Sequence, residues 1–542
     1  MASGQHAWRP GQPDARPGRR SLRWWLGGGG LLALALLVWC YLRIAGTMPV
    51  ISDGAGEALA AWDMLHGNLL LHGWWAADVS FYTTELPQYM LAEALAGLRP
   101  EVVHICAALT YTLLVLLAAL VARGRARGAE GLVRALLAAG ILLAPQPGAP
   151  ATVLLLSPDH VGTAVPVLLL LLLLDWAPRR WYVPAAAGVL LAWSAVGDPL
   201  ILVVGVLPLV AVCLARGCQG LLRRVPPRRL WYEFSLAAAA ALAFPAAQLA
   251  NRFIRARGGF QTDQIPLSIQ HSAVLRANAP YALRGFLGLF GADVASARGR
   301  LDQVFAIIHL AGAALVLAAV VLAGWRLARS LAARGAAGPA DVVADVLVVA
   351  IVLNVAAYFF LFRLTNTYAA HDIGPVAALG AALAGRVLGG PLLRARLVPA
   401  LAAGLAACAV MLGFAAARPQ ARPANASLVA FLARHDLRQG LGPYWEASST
   451  TLDSGGEIVM GSVTAGPDGR LAPWRWLEDL RPFDPARHAA TFFVTRAGES
   501  LTAARAVATF GRPALVYRYQ DYTILVWRKN LLPALGPPFW KP

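Results

Sequence analysis

Lysine is almost missing from this chain: Lys529 and Lys541 are its only two. Acidic residues are also sparse, 29 against 47 basic ones, and charged residues of every kind make up 14% of the 542 positions. Soluble domains carry charge on about a quarter of their residues, so a fully water-solvated enzyme is excluded. Cysteine is scarce as well. Cys40, Cys106, Cys213 and Cys408 fall inside apolar runs and Cys218 in a basic stretch, which gives neither a disulfide framework nor a zinc spacing.

What the chain has in excess is apolar surface: 58% of its residues are hydrophobic. Nearly uncharged windows recur at 24–45, 102–122, 131–149, 160–176, 182–197, 199–215, 233–250, 303–324, 342–362, 373–389 and 397–417. Each approaches the roughly 20 residues that cross a bilayer core, so the spacing predicts about eleven transmembrane helices. Pro and Gly near Pro145–Pro150 and Gly197–Pro199 mark broken or re-entrant segments. The first window is too long for a removed signal peptide and lacks its small-residue cleavage site. It reads as a retained helix behind a basic, disordered stretch, residues 1–23.

The net charge of +18 points to topology and not to nucleic acid, because the arginines cluster in alternate connections. Arg16, Arg19, Arg20 and Arg23 precede the first window. Arg123–Arg127, Arg179–Arg180, Arg216–Arg229, Arg326–Arg334 and Arg394–Arg396 bracket the later basic connections. By the positive-inside rule these ends are cytoplasmic. The complementary loops 46–101 and 251–302 are then external, and an odd number of spans places residues 418–542 outside too. The expected arrangement is a plasma-membrane, multi-pass protein with a cytoplasmic N-terminus, a membrane domain over 24–417, and an extracytoplasmic C-terminal domain.

That C-terminal region reads as a small α/β domain. "ASLVAFLARHDL" and "LTAARAVATFG" have helical spacing, whereas "GGEIVMGSV", "ATFFVT" and "PALVYRYQDYTILVW" are β-rich. No internal repeat stands out, which weighs against an inverted-repeat transporter.

The acidic residues that do occur collect in the first external loop, "MPVISDGAGEALAAWDMLHGNLLLHGWW". Asp53 and Glu57 are four apart and share a helix face, where like charges raise proton affinity or invite a cation. A water-facing stripe of an interfacial helix explains the same spacing, and Trp74 and Trp75 suit an aromatic belt. His66 and His72 lack metal-ligand spacing. Asp159, His160 and Asp198, in "SPDH" and "VGDP", read as caps or turns at span ends, with Asp159, beside an ionisable His, the better functional candidate. Arg252, Arg255 and Arg257 stand on the external side against the charge trend, and Arg363 and His371 flank the turn "RLTNTYAAHD". Arginine's planar fork suits a phosphate, while contact with anionic lipid headgroups explains the 252–257 cluster equally simply.

The order of features from 48 to 90 resembles the first loop of the GT-C superfamily of polytopic, polyprenyl-phosphate-sugar-dependent glycosyltransferases. It runs Asp53, the helix to Gly67, "NLLLHGWW", then "ELPQY" at Glu85–Tyr89. Gly54 stands where many members carry a second acidic residue. "GPYWEASSTTLDSGG", Gly442–Gly456, resembles tails of bacterial membrane proteins of this kind. The resemblance implies a mainly α, GT-C-like membrane domain and sugar transfer from a polyprenyl-phosphate donor to an envelope glycan, lipid or protein acceptor. Asp53 would be the base. Glu57, His66, His72, Glu85, Arg252, Arg255, Arg257, Arg363 and His371 would support it or bind substrate. No cofactor is required by this reading, and a divalent cation is left open. A transporter or lipid flippase is the competing class, as is a non-enzymatic envelope scaffold. A transporter more often buries charge in mid-span, and the apolar windows here are nearly clean.

Overall fold

The computed structural model describes residues 18–146, 153–156, 160–177, 179–263, 268–297, 299–333, 341–498 and 500–539. Asp159, Arg16, Arg334, residues 1–17 and most of the Pro145–Pro150 stretch lie outside the described residues.

Helix α1 (Gly18–Ala45) leads into the first loop, which is built from α2 (Ser52–Leu65), β1 (Trp74–Ala76) and α3 (Leu86–Ala96). The membrane helices follow: α4 (Glu101–Arg123), α5 (Gly128–Leu142), the single turn α6 (Val153–Leu156), α7 (Ala164–Trp176), α8 (Val183–Gly197) and α9 (Leu207–Leu222). A π-helical turn, Leu202–Val206, enters α9 just after Pro199. Then come α10 (Pro227–Ala256), β2 (Gln261–Thr262), α11 (Ser272–Leu289), α12 (Arg300–Ala332), α13 (Val342–Leu361), α14 (Pro375–Arg394) and α15 (Val398–Ala416).

Every one of the apolar windows coincides with a helix. Seven helices, counting the Leu202–Leu222 run as one, are long and apolar enough to cross a bilayer unaided. Three more apolar stretches, Gly29–Ala45, Ala164–Trp176 and Val183–Gly197, are shorter. α5 has 15 residues and carries Glu130 and Arg134.

α14 sits at the centre, packed on α4, α5, α12 and α13. Its sequence, PVAALGAALAGRVLGG, is rich in Ala and Gly, which allow helix backbones to approach closely where no hydrophobic effect operates between them. A side chain at Gly385 or Gly389 would strike the backbone of Arg134 on α5. α10, α12 and α15 instead turn Leu242, Leu249, Leu310, Leu317, Val410 and Phe414 outward, the expected lipid-facing surface. At the arginine-rich ends the few acids are paired. Arg386 lies 2.9 Å from Asp175 and 2.6 Å from Asp341, and Arg216 lies 3.3 Å from Asp345.

The C-terminal domain comprises α16 (Ala426–Arg434), β3 (Gln439–Gly442), α17 (Tyr444–Asp453), β4 (Val459–Ala465), β5 (Leu471–Pro473), β6 (Glu478–Asp479), β7 (Phe492–Arg496), α18 (Ala503–Phe510), β8 (Leu515–Tyr519) and β9 (Tyr522–Val526). Six strands form one mixed sheet in the order β5-β4-β3-β7-β9-β8, with β4, β3 and β7 parallel and β8-β9 a hairpin. Its core is Leu441, Phe493, Leu525 and Trp527 on one face and Leu428, Leu432, Phe492 and Ile524 on the other.

A second, three-stranded sheet fixes this domain on the membrane part. β1 pairs in parallel with β2 from the second loop and antiparallel with β6 from the C-terminal domain. Trp75 therefore sits between Gln261 and Glu478. The two loops and the C-terminal domain consequently share one face of the molecule, opposite the Arg386–Asp175–Asp341 cluster.

Candidate functional site

Asp53 lies in the first turn of α2, where the unpaired backbone N–H groups and the helix dipole favour a negative charge. Its Oδ1 accepts a hydrogen bond from the Tyr444 hydroxyl, at the start of α17. One residue earlier, Ser52 Oγ donates to the Tyr444 carbonyl at 2.6 Å. The carboxylate is thus half-buried in the seam between the membrane part and the C-terminal domain. An aromatic wall stands beside it: the Tyr444 ring is 5.1 Å from Trp445 and stacks on Trp474 at 6.2 Å. Trp445 remains 52% exposed, so the wall is open to a ligand.

Glu57, one turn along, is 1% exposed. The water-facing stripe therefore does not describe α2: its Glu57 face is buried against its neighbours. Asp63 is a fastener. Its Oδ2 accepts from Trp74 Nε1 at 2.8 Å, from Asn68 at 2.6 Å and from Arg481 at 2.6 Å. The tryptophans are not a lipid belt either. Trp74 is buried, and Trp75 donates its indole N–H to Asp263 at 2.8 Å while Arg475 stacks 4.0 Å above its ring. Of the two histidines, His66 is exposed against Trp62, with Nδ1 2.7 Å from that residue's carbonyl. His72 is a strut: its Nδ1 lies 2.8 Å from the Gly258 carbonyl of the second loop.

Glu85 caps α3 and is 3% exposed. It lines a cavity of about 10 Å³ with Gln88, Tyr89, Cys106, Thr110 and Val161, and its carboxyl lies so close to Gly162 that a side chain there would force it to move.

Beyond Gly162 lies a group of charges drawn from four separated segments. Asp198, fully buried at the end of α8, accepts from the Leu200 N–H at 2.8 Å with Oδ1, the turn expected from sequence. Its Oδ2 accepts from Thr163 and from His160 Nδ1, the latter at 2.9 Å. His160 Nε2 is 3.8 Å from Asp372, which is itself 3.3 Å from His371. Burial alone would lower the His160 pKa, but Asp198, Asp372 and Asp78 outweigh it and raise it to about 10. Burial raises Asp78, with His160 opposing. His160 and its ring neighbour Phe81 both occupy the left-handed backbone region, at φ 56° and 48°, a strain tolerated where surroundings enforce it.

The structure therefore brings His371 to His160 and Asp198, and brings Asp53 to Tyr444. Arg252, Arg255 and Arg257 lie at the end of α10 and Arg363 just beyond α13. Among the described residues none of these arginines forms an ion pair, which leaves their donors available to an anion. Also among the described residues, no three His, Cys, Asp or Glu side chains converge in a way that could hold a metal ion, and Gly54 supplies no carboxylate beside Asp53. Sequence reasoning missed Tyr444 and the joining of Asp78, His160, Asp198 and Asp372. The first lay in a stretch noted only as a tail, and the second joins residues with no local signature.

Two structures of ArnT from Cupriavidus metallidurans are similar to this chain, each at 15% identity and a TM-score of 0.40. The apo form covers 96% of this chain and 100% of its own, and the form bound to undecaprenyl phosphate covers 94% and 99%. The oligosaccharyltransferase of Archaeoglobus fulgidus, tethered with an acceptor peptide, is similar at 12% identity and a TM-score of 0.44, over 86% of this chain and 69% of its own. At such identities and scores no fold and no residue's role is carried over from them. No family model and no curated protein matches the chain.

Proposed function

We propose that this protein is a membrane glycosyltransferase that moves a sugar from a polyprenyl-phosphate donor to an extracytoplasmic acceptor. The observation that carries the reading is the placement of Asp53: a carboxylate at a helix N-terminus, held by Tyr444, beside an open aromatic wall and at the edge of the membrane helices. The donor class is supported by the resemblance of the first loop.

In this reading the acceptor O–H gives its proton to Asp53, the freed oxygen bonds to the anomeric carbon, and the bond from that carbon to the phosphate oxygen breaks. A positioned carboxylate suits the first event. The helix N-terminus and the Tyr444 hydrogen bond hold the Asp53 carboxylate in place beside the aromatic wall. Trp445 and Trp474 offer flat apolar faces to a sugar ring. The arginines of 252–257 and Arg363 are the candidates to hold the departing phosphate. Glu57 and Glu85 act behind the site, and His66 and His72 stabilise the loops around it.

The test is transfer of labelled sugar from defined polyprenyl-phosphate sugars by membranes containing the protein. Release of polyprenyl phosphate matched to labelled acceptor supports the reading. Absence of transfer across hexosyl and pentosyl donors, with the protein folded, removes it. Protease accessibility of residues 418–542 in sealed spheroplasts tests the orientation, with cleavage expected only from outside.

A further inference from the structure

The facing sides of α2 and α3 carry an unusual set of buried groups. Asp53 and Glu57 lie one turn apart on α2. Glu85, Tyr89 and Glu93 follow at four-residue steps along α3, so they form one stripe. α2 and α3 pack directly on one another. Glu57, Glu85, Tyr89 and Glu93 are each no more than 3% exposed. Glu93 is the least expected, because neither of its carboxyl oxygens has a hydrogen-bond partner among the described residues. An unsatisfied buried carboxyl destabilises a fold, so packing does not account for it. Burial pushes its pKa up to about 8.

Its surroundings are protonatable as well. Cys106, on α4, lies within electrostatic reach of both Glu57 and Glu93. Tyr89 and Glu85, on Glu93's own helix, line the cavity of about 10 Å³, the size that admits one water among polar partners. Glu85 in turn abuts Gly162, in the turn that carries His160 and Thr163. The row ends at Asp372, whose side chain is 20% exposed.

We infer that α2 and α3 form a proton path: the proton taken by Asp53 passes through Glu57 to Glu93, along Tyr89 and Glu85, to the His160–Asp198–Asp372 cluster and so to water. Each step breaks one bond to hydrogen and forms another, no electrons are exchanged, and the row regains its starting charge when the proton leaves. This rests on the proposed reading of Asp53 as base. Glu93 is a positioning residue in this scheme and touches no substrate.

The test uses the full-length protein in detergent or nanodiscs with Glu93→Gln, Glu93→Leu and Tyr89→Phe. Glu93→Leu is expected to melt at or above the wild-type temperature, since it removes an unsatisfied group. Both Glu93 variants are expected to lose about tenfold or more in kcat with KM unchanged and to show a larger solvent deuterium effect. A Glu93→Leu enzyme with wild-type kcat and isotope effect overturns the inference.

A second arm needs no turnover. Infrared titration of the wild type is expected to show a protonated-carboxyl band with a midpoint near 8 that is absent from Glu93→Gln. Asp53→Asn is expected to move that midpoint down, because one negative charge has left the row. An unmoved midpoint overturns the connection between Asp53 and Glu93, whatever the fate of the transferase reading.

Discussion

Replacing His160 by alanine leaves Asp198 fully buried with its principal counter-charge gone. Thr163 and the Leu200 N–H still donate to it, but neither carries a charge. Breaking a buried ion pair by removing one partner costs about 3–5 kcal/mol. The titration of His160 gives a similar size. Its pKa is raised from 6.5 to about 10, which corresponds to about 5 kcal/mol of preferential binding of the proton by the folded state. The two figures describe one interaction and are not added.

The sign follows from linkage. A raised histidine pKa contributes stability that is complete below about 6.5 and is lost as pH rises through about 10. Asp198 is held below its ordinary 3.8; burial opposes this, and His160, Thr163 and Leu200 outweigh it. Its contribution is present above 3.8 and fades as pH falls through its lower folded value. The melting temperature, followed by fluorescence of the 17 tryptophans, is therefore expected to be highest between about pH 4 and 6.5 and to fall toward pH 10. His160→Ala is expected to lose the part of the alkaline slope above about pH 8, where Glu93 has already titrated, together with the 3–5 kcal/mol. His160→Ala with Asp198→Asn is expected to recover part of the loss, because the stranded charge is gone. A His160→Ala protein less than about 1 kcal/mol below wild type, or a double variant no better than the single, refutes the reasoning.

Tyr444→Phe removes a hydrogen bond to a charged acceptor, a contact of about 1.5–3 kcal/mol. The rate of sugar transfer is then expected to fall, because Asp53 is no longer held in position, while an unchanged kcat contradicts the link. Arg475→Ala takes the cation from the Trp75 ring and from Asp263. Limited proteolysis is expected to show faster cleavage of the second loop beside β2, and unchanged cleavage contradicts the role of the three-stranded sheet.

The apolar windows located the membrane helices because bilayer thickness imposes a length and a composition on each one. The C-terminal elements were legible for a related reason: α18 is strongly two-faced and β7–β9 are rich in Phe, Tyr, Val and Ile. The joins were not. Tyr444 reaches Asp53 across 391 positions, and no periodicity relates them. The sheet that fixes the C-terminal domain is made from strands of two and three residues in three distant segments, too short for any alternation to register. In the sequence the α2 carboxylates Asp53 and Glu57 fit a water-facing stripe as well as a site, and nothing marks Glu93 on α3. Both helices are in fact covered, by each other and by α4 and α17. Asp198 showed half its role: the turn is local and readable, while the bond to His160, 38 positions away, is not.

The central claim is that Asp53 accepts the proton of the acceptor hydroxyl during sugar transfer. It is tested most directly by measuring labelled sugar transfer from a polyprenyl-phosphate donor with wild-type and Asp53→Asn protein of matched abundance and melting temperature. The expected result is a loss of kcat of at least about a hundredfold with donor binding retained. Transfer by Asp53→Asn at the wild-type rate would contradict it.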